Sequence, residues 1–140
     1  MLKRLFILPI ALTVTLLTIS NQKIAQASDC SDYISQGTSL NWSQRSPSGF
    51  YTGTMEVGST WDCESAVCFS GSFDDGTPIQ GEYRNNNFEM TRTIKSNHVE
   101  GGLAIQEFRG TCTNDEVIRG TWSDRVGTGS GWSGPFKIRK

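Results

Sequence analysis

Hydrophobic and polar residues alternate one by one along most of this chain, with little sign of the 3.6-residue period of a helix. The clearest case is Phe69-Ser70-Gly71-Ser72-Phe73, followed after Asp74 to Pro78 by Ile79-Gln80-Gly81-Glu82-Tyr83. Side chains two apart on a strand share a face. Phe69, Gly71 and Phe73 therefore form one face and Ser70 and Ser72 the other. The same alternation, interrupted by turn signals, predicts strands near 38–43, 49–57, 66–74, 78–84, 87–95, 102–112, 116–123 and 131–138. The stretches Asp74-Asp75-Gly76, Arg84 to Asn87, Asn114 to Glu116 and Gly127 to Gly131 carry the Gly, Asn and Asp residues that hairpin turns need. About eight short strands in hairpin succession describe an antiparallel, up-and-down, all-β meander. Such a sheet hides its edges by closing into a barrel or by folding into a sandwich.

A glycine stands at the centre of the apolar face in six places: Gly53, Gly71, Gly81, Gly110, Gly120 and Gly134. Two explanations fit. Inward glycines let strongly coiled strands bend and let neighbouring rings pack over them. A level of glycines would alternatively leave a hollow, and a barrel of about eight strands is wide enough to hold one small ligand. In the second case Tyr51, Phe73, Tyr83, Phe88 and Trp122 line the cavity. Trp61 stands apart, in the polar segment Gly58 to Cys63, and is a candidate contact residue exposed at a barrel mouth.

The first residues read differently. Lys3 and Arg4 precede an apolar run from Leu5 to Ile19, and Ala25-Gln26-Ala27 offers small residues at signal-peptidase spacing, so 1–27 is expected to be a signal peptide cleaved after Ala27. A single all-β domain over 28–140 follows, with an N-terminal arm over 28–47 and the barrel over 48–140. With Lys3, Arg4 and Lys23 removed, the 13 basic residues fall to 10 against 14 acidic ones, a balance that argues against nucleic acid as a partner. The expected location is the periplasm or the exterior of a bacterial cell, with no membrane span after cleavage.

That compartment is oxidising, and the even number of cysteines reads as two disulfides. Four cysteines pair in three ways. The preferred pairing is Cys63–Cys68, closing a tight loop, with Cys30–Cys112, tying the arm to the body. A four-thiolate metal site is the weaker reading, because such sites usually bring two close pairs and only Cys63 and Cys68 are close. No cofactor or metal is expected.

The strand Ile118-Arg119-Gly120-Thr121-Trp122, with its glycine-rich turn and the closing strand from Gly131 to Lys140, resembles the calycin-like barrels, the lipocalin and avidin-type meanders found among small exported bacterial proteins. The resemblance implies an up-and-down barrel with an interior ligand and carries over no particular ligand. The Gly-x-Trp pattern of lipocalins opens their barrel, whereas Gly120 to Trp122 lies near the end of this chain. Gly71, Phe73 and Gly76 also resemble a MORN repeat, although the period of a MORN array is not kept.

Catalytic chemistry is scarce. His98, the one histidine, lies in a polar loop; Asp74 and Asp75 occupy a turn; Glu82 and Glu89 fall on the polar face of neighbouring strands. The expectation is therefore a non-enzymatic exported barrel that binds a small apolar or amphipathic ligand inside. The rival expectations are a surface module that binds a glycan or a protein through exposed aromatics, and a structural envelope protein.

Overall fold

The computed structural model describes residues 29–95, 102–126 and 131–140. The expected signal peptide, His98 and most of the glycine-rich turn before Trp132 lie outside the described residues. Eight antiparallel strands form a closed barrel: β1 (Ser39–Ser46), β2 (Gly49–Cys63), β3 (Ala66–Phe73), β4 (Pro78–Arg84), β5 (Asn87–Lys95), β6 (Leu103–Thr113), β7 (Val117–Val126) and β8 (Ser133–Arg139). Each strand pairs with the next, and β8 closes on β1 through Asn41–Gln44 against Phe136–Arg139. Among the described residues no helix is long and apolar enough to cross a membrane.

The alternation of side chains sets the register. On β1, Leu40, Trp42, Gln44 and Ser46 are buried while their neighbours face out, and on β5 Phe88, Met90 and Arg92 are buried in the same way. The arm expected over 28–47 is therefore shorter than read. Its second half is β1, a full barrel strand, and the barrel does not begin at 48. The alternation predicts this strand only near 38–43, because polar Gln44 and Ser46 occupy its last two inward positions.

A second difference lies in β2. A bulge between Val57 and Ser59, at Gly58, shifts the register, and the strand then runs on to Cys63. The extra residue lets the strand turn more sharply without ending its pairing. The polar segment around Trp61 is thus part of the wall.

Phenylalanines fill the barrel along its length. Phe69 stacks on Phe88 with ring centroids 5.7 Å apart, Phe88 touches Phe136, Phe136 meets Phe108 edge-on at 5.3 Å, and Phe73 links Phe108 to Trp42. The glycine level is packed as well. A Cβ on Gly71 would overlap the Glu56 carbonyl of the next strand, one on Gly120 would overlap that of Arg109, and one on Gly81 would enter the Phe69 ring. Of the two explanations for the glycines, close strand approach and ring packing account for what is seen at these positions.

The chain before β1 seals one end. A short 3-10 turn, Cys30–Asp32, is capped by the Asp29 carboxylate, which accepts from the Ser31 N–H at 3.1 Å. Tyr33 and Ile34 follow it into the core and are buried. Three kinds of bond hold the segment. Cys30 is disulfide-bonded to Cys112, 82 residues away, and its N–H donates to the Asn85 carbonyl at 2.9 Å. The Tyr33 hydroxyl donates to the Thr113 carbonyl, and the Tyr83 hydroxyl donates to the Ile34 carbonyl at 3.4 Å. The second disulfide, Cys63–Cys68, staples the β2–β3 hairpin. Both expected pairings are present.

Candidate functional site

At the other end the inward rows change chemistry. On β1 the row passes from Leu40 and Trp42 to Gln44 and Ser46; on β5 it passes from Phe88 and Met90 to Arg92; on β6 the residue beyond Phe108 is Gln106. These polar positions fall at one end of the barrel because neighbouring strands run in opposite directions. They surround a cup of about 400 Å³, floored by Trp42 and Trp122 and rimmed by Tyr51, Trp132 and the β3–β4 turn. That volume lies near the lower end of the range for small-molecule sites.

Arg92 organises one side. Its Nε donates to Thr77 Oγ1 at 2.8 Å, and a terminal nitrogen donates to the Asp75 carboxylate, with which it forms an ion pair. Its guanidinium carbon lies 4.4 Å from the centre of the Phe73 ring and 5.4 Å from that of Trp42, so the rings cover the face of the cation. Burial lowers the guanidinium's affinity for its proton, and Asp75 acts in the opposite direction. Desolvation pushes the Asp75 carboxyl up, but hydrogen bonds from the Thr77 hydroxyl and N–H, together with Arg92, outweigh it and hold the group below its ordinary range. Asp74, beside it, accepts from the Thr54 N–H at 3.2 Å. The Asp-Asp-Gly-Thr-Pro turn is therefore more than turn chemistry: Asp75 and Thr77 hold the buried arginine.

The opposite side of the cup is less satisfied. Gln106 Nε2 donates to Asp124 Oδ1 at 3.3 Å and the Trp122 indole N–H donates to the Arg45 carbonyl at 2.8 Å. Yet Trp42 Nε1, Gln44 Oε1 and Gln106 Oε1 are buried with no hydrogen-bond partner among the described residues. At the rim, the Tyr51 hydroxyl pairs with Ser48 Oγ at 2.9 Å, and the ring remains exposed.

The residues proposed from the sequence are scattered by this geometry. Tyr51 and Trp122 line the cup, and Phe73 lies beneath Arg92. Phe88 is in the middle of the core, stacked on Phe69, and Tyr83 is at the sealed end. Trp61 is 47% exposed, as expected, but it is paired with Cys68 on the outer wall beside the Cys63–Cys68 disulfide, away from the cup. The polar members Gln44, Arg92 and Gln106 are absent from the sequence-based candidates, and Asp75 is there only as a turn residue. Their signal was present: each of Gln44, Arg92 and Gln106 interrupts an inward row, and all three do so towards the same end.

Two other clusters carry less. Glu82 and Glu89 face each other across β4 and β5 on the exposed wall. The Glu82 carboxylate lies near Cys63 and Cys68, but those sulfurs are joined in a disulfide and offer no thiolate to a metal. No protein-family model matches this chain, and comparison with curated proteins and with solved structures finds no match.

Proposed function

We propose that this protein is an exported, non-enzymatic binding barrel that takes a small amphipathic ligand into the cup at its open end. The carrying observation is the cup itself: flat aromatic surfaces at floor and rim enclose inward polar groups that the barrel does not need for closure. A fold optimised for stability alone would place apolar side chains at those positions, as it does at the other end. Two disulfides suit an oxidising compartment, which agrees with the basic and apolar character of residues 1–27. The calycin-like resemblance points the same way in general plan, a small barrel open at one end. The charged groups Arg92 and Asp75 are engaged with each other, an arrangement suited to shaping a site more than to proton transfer.

Titration of the purified protein with a hydrophobic fluorophore tests this reading. Saturable binding that weakens in Trp132→Ala and Tyr51→Ala, and not in Trp61→Ala, is the expected result. Native mass spectrometry of protein isolated from its own host should show a retained small molecule. Absence of saturable binding in the first experiment would refute the proposal.

A further inference from the structure

We infer that the cup is built for an uncharged, hydroxyl-bearing ring, a neutral sugar or sugar-like polyol. The inference rests on the cup being the binding site and concerns what enters it. Three buried polar atoms with no partner among the described residues carry it: the Trp42 indole N–H, which can only donate, and the carbonyl oxygens of Gln44 and Gln106, which can only accept. Trp42, Gln44 and Gln106 are 8%, 5% and 9% exposed, so the protein itself excludes most solvent from them. All three border the same cup. Buried polar groups are nearly always hydrogen-bonded in native proteins, and one left without a partner calls for an explanation.

The unmatched set is mixed, with one donor and two acceptors. The bond from Nε2 to Asp124 fixes the Gln106 amide, whereas the Gln44 amide turned through half a circle exchanges its donor and acceptor ends. The complementary group is one that both gives and accepts a hydrogen bond at the same atom, which is what a hydroxyl does. Several hydroxyls held on one ring would meet separated partners at once.

The charged groups of the cup are already engaged within the protein. An anion would meet Asp74 and would have to compete with Asp75 for Arg92, whose guanidinium is already held by Asp75, Thr77 and two rings. A cation would find Asp75 held by Arg92 and Asp74 by the Thr54 N–H, with that buried guanidinium beside them. The rim completes the complement, because Tyr51 and Trp132, 46% and 39% exposed, offer flat faces to the C–H side of a sugar ring.

The test displaces the bound fluorophore with a panel of neutral hexoses and their disaccharides, alongside the matching uronates and amino sugars. At least one neutral sugar should displace it, with its charged counterparts weaker by about tenfold or more. Gln44→Leu and Gln106→Leu should each weaken that sugar by about tenfold or more, the effect expected for losing one hydrogen bond in a buried site. Thermal melting of the same variants shows that they are folded. If the fluorophore saturates the cup but no neutral sugar displaces it at millimolar concentration, the inference is overturned and the broader proposal stands. Equal or tighter displacement by a uronate or an amino sugar overturns it too. If neither fluorophore nor sugar binds, both fail together.

Discussion

The two ends of this barrel are made of the same strands and differ in what those strands point inward. At the sealed end the inward positions are apolar, and Cys30, Tyr33 and Ile34 are laid across them. The polar atoms brought in with that segment are satisfied: the Cys30 N–H and the Tyr33 hydroxyl donate to the carbonyls of Asn85 and Thr113, and the Ile34 carbonyl accepts from the Tyr83 hydroxyl. At the cup end the strands turn inward Gln44, Ser46, Arg92 and Gln106, and three buried polar atoms lack a partner among the described residues. Strand number and diameter are common to both ends, so the contrast between them lies in inward polarity. An element that gives up stability in one place, while a like element keeps it in another, marks the place where something other than stability has shaped the sequence.

Breaking the sealed end should have the largest effect. Replacing Cys30 and Cys112 by serine opens a loop of 82 residues, and the chain-entropy account gives a loss of about 4–5 kcal/mol for a loop of that length. Denaturant unfolding under non-oxidising and oxidising conditions measures it, the native protein losing the difference on reduction. Ile34→Gln, which imports into this end the chemistry of the other, should cost about 2–4 kcal/mol, because the new amide is buried among groups that have no bond to offer. A neutral result for Ile34→Gln would mean that the sealed end tolerates polarity as the cup does, and the contrast between the ends would fall.

The ion pair of the open end gives a smaller, pH-dependent effect. Asp75→Asn leaves the Arg92 charge buried without its counter-ion. Loss of a partner from a fully buried pair is larger, but solvent reaches half of the Asp75 side chain, so the expected loss is about 1–2 kcal/mol. Because the folded-state pKa of Asp75 lies below its unfolded value, the carboxylate contributes stability above the unfolded pKa, near 4, and loses it as pH falls through the folded one. Native protein should therefore lose stability between neutral pH and about pH 3 by more than Asp75→Asn does. Coincident pH profiles of the two melting temperatures would show that the pair contributes nothing.

The antiparallel meander, its strand order and both disulfide pairings were legible in the sequence, with barrel and sandwich left as the two ways to close it, for a simple reason. Alternation has a period that survives substitution, and inward rows such as Phe69, Gly71 and Phe73 state the register directly. The cup was harder to read because its residues violate that same pattern. Gln44 and Ser46 end the apolar alternation of β1 after Trp42, and Arg92, two residues after Met90, puts a charge at an inward position. Asp75 was read as turn chemistry because its second role requires β5 to pass beneath the turn, a contact across 17 residues that no local signal states. Trp61 was placed at a mouth because the bulge at Gly58, and the strand beyond it, depend on pairing with β3. Aromatic residues drew attention as binding groups, yet most of them are core. The informative residues were the polar ones in apolar rows.

The smallest effect has the most telling sign. Gln44→Leu removes a buried carbonyl oxygen that has no hydrogen-bond partner and replaces it with an apolar branch of similar size. In a protein shaped for stability, deleting a buried polar side chain breaks a bond and destabilises. Here there is no bond at Oε1 to break, and relief of desolvation should raise stability by about 0.5–1 kcal/mol. Differential scanning calorimetry of ligand-free protein would detect this as a higher melting temperature, a few degrees for a domain of this size. The opposite substitution at the sealed end is expected to lower it, so the pair measures the difference between the ends with opposite signs. A lower melting temperature for Gln44→Leu would mean that the amide already stabilises the fold, and the polar row at the open end would then belong to the architecture of the barrel instead of to a ligand.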